Sequence, residues 1–212
     1  MYIPKHFEQN DRQKSIDFMR AYNFAVVISV KEDIPIATHL PFVIEERDKE
    51  IVLVTHMSRA NEQWKTFDEK DVLVIFSEPH AYISPSLYEQ QQNVPTWNYV
   101  AVHAYGKVTM ISEPQSQVAL LEKMMVSFDA AYLEQWKVLD PVYKDNLRKG
   151  IAAFEIVVSG LQGKEKLSQN KTSSERVTIA DHLEQSEDEL KIALARMMRD
   201  HSDPVHTKNS PV

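Results

Sequence analysis

The chain has no cysteine, which removes disulfides, iron–sulfur clusters, thiolate zinc sites and cysteine nucleophiles together. Glycine is nearly as scarce. Gly106, Gly150, Gly160 and Gly163 are the four in 212 residues, and none belongs to a G-x-G-x-x-G or G-x-x-x-x-G-K-[ST] arrangement. Neither a dinucleotide-binding turn nor a P-loop can be written, so any phosphate must be held by side chains and non-glycine backbone. No apolar run approaches the roughly 18 residues of a membrane-spanning helix; the longest lie near 24–30 and 72–76. Positive charge is in deficit: the net charge of −7 opposes general binding to DNA, whose affinity comes largely from lysine and arginine on phosphates. Lys164, Lys166, Lys171 and Arg176 form a modest basic cluster, but without interleaved aromatics it makes a poor groove for single strands. The N-terminal residues lack the charged and apolar regions of a secretory signal, so cytoplasmic residence is expected.

What is present describes a β-rich domain with helices at its periphery. A 43% hydrophobic content over 212 residues can bury a sizeable core. Asp11 caps a first helix over 12–22. The period then becomes strand-like over 24–30, 34–38, 42–45, 51–55, 72–76, 81–84 and 98–111, with turns at 31–33 and 47–49, which predicts an antiparallel barrel or sandwich. Ser112 with Gln115 reads as a capping box for a long helix carrying Val118, Leu121, Met124, Met125 and Phe128. Asp140 and Pro141 open a shorter helix that Gly150 would close in the left-handed conformation. A central strand over 151–158 and a loop over 160–176 follow, and Ser186 with Glu189 caps a last helix bearing Leu190, Ala193, Leu194, Met197 and Met198. The domain layout expected is a barrel over 1–160 with helices inserted at 113–149, an extension over 161–200 and a disordered tail over 201–212.

Polar aromatics and histidines concentrate in four runs, 38–42, 55–64, 79–86 and 94–106, each at the end of a strand-like segment. Strands that bring these ends together would line a crevice for a flat polar ligand. His39, His56, His80 and His103 show no metal-ligand spacing, and hydrogen bonding to strand-end backbone or pocket lining is the commoner role for such imidazoles. No motif selects a haem ligand or a serine nucleophile. Ser58, Arg59 and Asn61 could hold a phosphate through charge-assisted hydrogen bonds, with a solvated turn as the equal alternative. Tyr82, Trp97 and Tyr99 offer faces for a flavin-like ring, although most aromatics are core. Lys166, Gln169 and Asn170 suit an anionic ligand or plain solvent exposure.

These segments also carry a family likeness. Met1-Tyr2-Ile3-Pro4-Lys5-His6-Phe7, Ala37-Thr38-His39-Leu40-Pro41-Phe42, His56-Met57-Ser58-Arg59-Ala60-Asn61, Pro79-His80-Ala81-Tyr82-Ile83-Ser84-Pro85, Val94-Pro95-Thr96-Trp97-Asn98-Tyr99 and Lys166-Leu167-Ser168-Gln169-Asn170 resemble the PaiB family of bacterial FMN-binding negative transcriptional regulators, from Met1 to about Met198. The resemblance implies a mainly β fold with peripheral helices, an antiparallel split β-barrel of the pyridoxamine-phosphate-oxidase type with a C-terminal helical segment. It implies FMN as cofactor, a homodimer with flavin sites at the subunit interface, and repression of sporulation and degradative-protease genes. The cofactor-binding residues it implies are Thr38, His39, Leu40, His56, Ser58, Arg59, Asn61, Tyr82, Trp97, Asn98, Tyr99, Lys166, Gln169 and Asn170. Thr55 stands where the family usually has glycine and Glu62 where it often has proline. No helix-turn-helix pattern is evident, so contact with DNA or with a partner regulator has no visible motif. The alternatives are a flavin-dependent oxidoreductase or haem-degrading enzyme on the same fold, and a flavin-free interaction module.

Overall fold

A computed structural model describes residues 1–67 and 71–201; the expectation of a disordered tail falls, from residue 202 onward, outside the described residues. In chain order the elements are β1 (Glu8–Gln9), α1 (Arg12–Ala21), β2 (Phe24–Lys31), β3 (Ile34–Pro41), β4 (Val43–Arg47), β5 (Glu50–Ser58), β6 (Val72–Ile83), β7 (Thr96–Ile111), α2 (Pro114–Phe128), α3 (Tyr132–Val138), α4 (Pro141–Lys149), β8 (Ile151–Lys166), α5 (Ser173–Glu184) and α6 (Glu189–Asp200). The strands follow the order β3-β2-β6-β7-β8-β5-β4, with β1 paired to β8. This is a mainly antiparallel eight-stranded sheet that is not closed, of the split-barrel kind expected. The chain forms two compact units, the first from residues 1–10, 77–101 and 163 onward, the second from 11–76 and 102–162.

The second unit shows how polar residues shape the sheet where glycine is missing. The two-residue turns at Glu32-Asp33 and Asp48-Lys49 adopt positive φ of 50°, 62°, 48° and 77°, the left-handed pair that matches strand twist in tight hairpins. Asp11 Oδ1 accepts from the N–H groups of Gln13 and Lys14 at 2.9 and 3.1 Å, satisfying two orphan donors of α1. β5 is buried on both faces from Ile51 to Thr55. Val52 and Val54 pack with Leu120 and Met124 of α2, and Ala153 of β8 completes the cluster. Arg47 Nη1 reaches Glu155 at 2.7 Å, from β4 to β8. β7 and β8 approach so closely at Gly106 that a Cβ there would lie 2.3 Å from the Val157 carbonyl oxygen.

In the first unit, β1 pairs with the end of β8 through Glu8↔Lys164 and Gln9↔Gly163. Helices α5 and α6 bury Ile179, Ala180 and Leu183 together with Leu194, Ala195 and Met198. Thr172 Oγ1 accepts from the Glu175 N–H at 3.1 Å, and the Glu175 carboxylate accepts from the Thr172 N–H at 3.2 Å. That reciprocal pair is a capping box.

Several local expectations are corrected. Segments 72–76 and 81–84 belong to one strand, β6, whose inward side changes parity between Phe76 and Pro79, so its alternation reads as two. Pro114 at the first helical position makes Glu113 the cap of α2, and its carboxylate accepts from Ser116 N–H at 2.6 Å. Gly150 ends α4 in the right-handed conformation, φ −77° and ψ −5°. The expected loop over 160–176 is shorter, confined to 167–172, because β8 runs on to Lys166 and α5 begins at Ser173. Asp188, not Ser186, caps α6, accepting from Leu190 N–H at 3.0 Å. Helix α5 was missed because its apolar stripe is sparse, although the Thr172…Glu175 spacing signals it.

Gly106→Ala forces a backbone shift, because the clash is with a carbonyl oxygen rather than a flexible side chain. The expected loss is about 4 kcal/mol or more, in the exceptional range for single substitutions. Urea unfolding of the variant measures it, and a loss below about 1 kcal/mol would contradict the close approach.

Candidate functional site

Seven of the fourteen residues implied by the resemblance belong to the second unit, and four of them, Thr38, Ser58, Arg59 and Asn61, lie at or are bonded to the turn that follows β5. β5 ends opposite the start of β8, with Ser58 paired to Ile151, which brings residue 59 to the C-terminal end of α4. The Arg59 N–H donates to the Gly150 carbonyl at 2.9 Å and its Nε donates to the Lys149 carbonyl at 3.1 Å. A guanidinium is favoured there, where unpaired carbonyls carry the negative end of the helix dipole. The same guanidinium lies 5.6 Å from the Trp64 ring centroid, while Trp64 Nε1 donates back to the Arg59 carbonyl at 3.1 Å. Both Nη groups of Arg59 meet no acceptor among the described residues.

Asn61 and Thr38 are joined to each other. Asn61 Oδ1 caps the short 3₁₀ helix Glu62–Thr66 by accepting from Gln63 N–H at 3.1 Å, and its Nδ2 donates to Thr38 Oγ1 at 2.8 Å. Thr38 Oγ1 in turn hydrogen-bonds Gln63 Oε1. Gln63 is 4% exposed, and its Nε2 lies 3.1 Å from the Val27 carbonyl, 3.1 Å from the Ile36 carbonyl and 3.2 Å from Ser29 Oγ. This buried amide fastens the 61–66 turn onto the β2–β3 hairpin, and no motif flagged it. Ser58 Oγ is exposed and accepts from Ala60 N–H at 3.3 Å. His39 is exposed and stacked against Phe24 at 6.1 Å, whereas Leu40 is core. His56 shares the α2-facing side of β5 with Val52 and Val54, its Nδ1 3.2 Å from Met124 Sδ. Burial pushes its pKa below the usual histidine value.

The other seven belong to the first unit. Trp97 and Tyr82 are half exposed and meet edge-on at 6.1 Å, with His80 5.6 Å from Trp97. Asn98 is fully buried: its Nδ2 donates to Ser168 Oγ at 2.9 Å, and Ser168 Oγ lies 3.2 Å from its Oδ1. Tyr99 lies under Lys164, whose Nζ is 5.1 Å from the ring centroid. Gln169 is spent on backbone, accepting from Leu167 N–H at 2.7 Å and donating to the Glu165 carbonyl at 2.6 Å. Lys166, Asn98 and Asn170 line a cavity of about 340 Å³, to which Tyr88, Thr96 and Lys171 also contribute. Those last three carried no signal as a group, being far apart in sequence.

An open, mainly antiparallel eight-stranded sheet bearing helices is the architecture of split-barrel flavin-binding proteins. Among solved structures, the flavocytochrome Anf3 from Azotobacter vinelandii aligns with a TM-score of 0.60 at 16% identity, over 77% of this chain and 72% of that one. The FAD and heme binding protein from Mycobacterium smegmatis aligns with a TM-score of 0.60 at 14% identity, over 80% and 78%. At such identities the likeness establishes the fold alone. The chain belongs to the family described as "Putative FMN-binding domain", whose model matches residues 1–160, and its PaiB resemblance is confirmed by "Protease synthase and sporulation protein PAI 2" of Bacillus subtilis (strain 168). That relative is 37% identical over 204 residues, covering 94% of this chain and 97% of its own length. FMN is the cofactor of this family.

The burial of His56 sets a pH dependence. An unfolded histidine titrates near 6.5, whereas folded His56, like His103, resists protonation because of burial. Below the unfolded value the unfolded state binds more protons, so stability is full at neutral pH and falls as pH drops through about 6.5. Thermal unfolding between neutral and mildly acidic pH should show that decline, and His56→Leu should reduce it to the part owed to His103. An NMR titration placing the His56 midpoint above 6.5 would reverse the sign.

Proposed function

We propose that this chain is an FMN-binding negative regulator of protease-production and sporulation genes, acting in the cytoplasm as a homodimer. The observation that carries the flavin half is Arg59. Its backbone and Nε are fixed by the end of α4, while both Nη groups remain available in the paired geometry that a phosphate monoester accepts. Ser58 adds an exposed hydroxyl beside it, and the Thr38–Asn61–Gln63 network holds the turn still. Both departures from the family pattern are accommodated. Thr55 is fully buried and directs its hydroxyl to the Pro41 carbonyl at 2.6 Å. Glu62 is paired with Lys65 at 2.5 Å; that hydrogen bond, ahead of the charges of Lys65 and Lys31, holds its carboxyl below the ordinary value and leaves the anion compensated. When bound, FMN supplies one- and two-electron redox chemistry; the protein's part is to bind and orient it.

The regulatory half rests on the full-length likeness to PAI 2, whose name links that protein to protease synthesis and sporulation. Helices α5 and α6 with their short connection come nearest to a helix-turn-helix layout. In α6, however, Lys191 pairs with Asp188, and Arg199 pairs with Asp181 and Glu184. With two of its three cations engaged this way and Arg196 alone left exposed, the helix is poorly equipped to contact phosphates. Repression through a partner regulator therefore fits better than direct reading of DNA.

Arg59→Ala should weaken FMN binding by about 1.5–3 kcal/mol, the scale of a hydrogen bond to a charged group, or about tenfold to a hundredfold. Flavin fluorescence titration measures this, and unchanged affinity removes Arg59 as the phosphate clamp. Deletion of the gene in its own host should raise protease and sporulation transcripts; unaltered transcripts would dismiss the regulatory half.

A further inference from the structure

We propose that the 340 Å³ cavity of the first unit is a binding site for a small organic oxyanion, a carboxylate or phosphate attached to a flat apolar body, held by Lys166 and Lys171. Two lysines line this cavity and no carboxylate does. Lys166 Nζ has Thr96 Oγ1 as its hydrogen-bond partner, and Lys171 Nζ donates to Asn93 Oδ1 at 2.8 Å. Both partners are neutral, Lys171 Nζ also lies 3.6 Å over the Tyr88 ring centroid and Lys166 Nζ 6.0 Å from that of Phe7, and neither lysine forms an ion pair with a described residue. Half-buried ammonium groups without a counter-ion are costly and uncommon. Glu175, whose charge is felt at Lys171, is held by the N–H groups of Glu89 and Thr172 and does not line the cavity.

The neutral lining completes the match. The Tyr88 hydroxyl is buried without a hydrogen-bond partner among the described residues, an expensive omission for a polar group. Burial, then the charge of Glu175, raises its pKa, so it remains a protonated donor. Asn170 makes no side-chain hydrogen bond with any described residue, while Phe7, Val94 and Pro95 supply apolar wall. A second cavity, about 390 Å³ among α2, α3 and α4, contrasts in sign: Glu122 and Asp145 stand there beside Lys144 and Arg148. In the lysine cavity no carboxylate lines the wall beside the two ammonium groups. Its purpose as an effector site rests on the regulatory reading; the binding itself does not.

Calorimetric titration of the full chain with phenyl phosphate, benzoate and neutral benzyl alcohol tests this. At least one anion should bind at millimolar concentration and the alcohol should not. Lys166→Met and Lys171→Met should each weaken the anion about tenfold or more, as loss of a charge-assisted contact does, while Lys166→Arg retains binding and Arg59→Ala leaves it unchanged. NMR of the unmodified protein removes dependence on variants that fold poorly: the side-chain amide of Asn170 should shift on adding the anion. Failure of both anions to bind, or binding indifferent to the lysines and to Asn170, overturns the proposal. So does a lysine variant that loses FMN while Arg59→Ala keeps it, since the cavity would then hold the flavin phosphate; loss of FMN in Arg59→Ala alone leaves both readings standing.

Discussion

The buried amide of Gln63 is the interaction on which the candidate phosphate turn depends. A primary amide placed among two carbonyls and a hydroxyl is worth little in net energy, but removing any partner exposes the cost of an unsatisfied polar group in a dry interior. That asymmetry makes the arrangement specific. With Asn61 tied to Thr38 and Gln63 tied to the hairpin, the turn has one low-energy position, and Arg59 is placed as a consequence. The C-terminal end of α4 then fixes the arginine from the other side, so helix and hairpin together orient a single guanidinium.

The same device recurs wherever this chain needs a loop in a defined place. Asn98 with Ser168, Glu175 with Thr172 and Glu89, and Thr55 with the Pro41 carbonyl are buried polar side chains that bind backbone or each other. In a chain with four glycines, tight phosphate-cradling backbone is unavailable, and side chains assume the work of recognition. The electrostatics agree. A net charge of −7 coexists with two local concentrations of positive charge, one arginine and one pair of lysines, while the surrounding field discourages polyanions.

Much of the architecture was legible because its signals are local. Asp11, Asp140-Pro141 and the polar pairs at 32–33 and 48–49 announce a cap, a helix start and two hairpins by mechanisms that need no tertiary context. Signals that failed depend on neighbours. Whether Ser112 or Glu113 caps α2 is decided by the proline between cap and helix. The parity change in β6 disguises one long strand as two, and Gly150 keeps right-handed geometry because Asn146 and Leu147 carbonyls accept its N–H. At the site, Thr38, Arg59 and Asn61 were readable as polar groups at strand ends. Gln63 was invisible because its value lies in three acceptors 27 to 36 residues away; Lys166 and Asn170 were readable as groups suited to an anion, but the cavity they share with Tyr88 and Thr96 was not, because its lining comes from scattered segments.

Ser168 sits at φ 60°, a conformation in which non-glycine residues are strained, while its hydroxyl is a buried partner of Asn98. Evolution at this position faces two demands that few amino acids meet together. Glycine would relieve the backbone and abandon Asn98; alanine would keep the strain and abandon it as well; a larger side chain would need room that a 3% exposed site lacks. Drift there is narrowed to short polar residues that tolerate the left-handed region, and any escape requires a simultaneous change at position 98. The side chain at either position is therefore constrained by the one at the other.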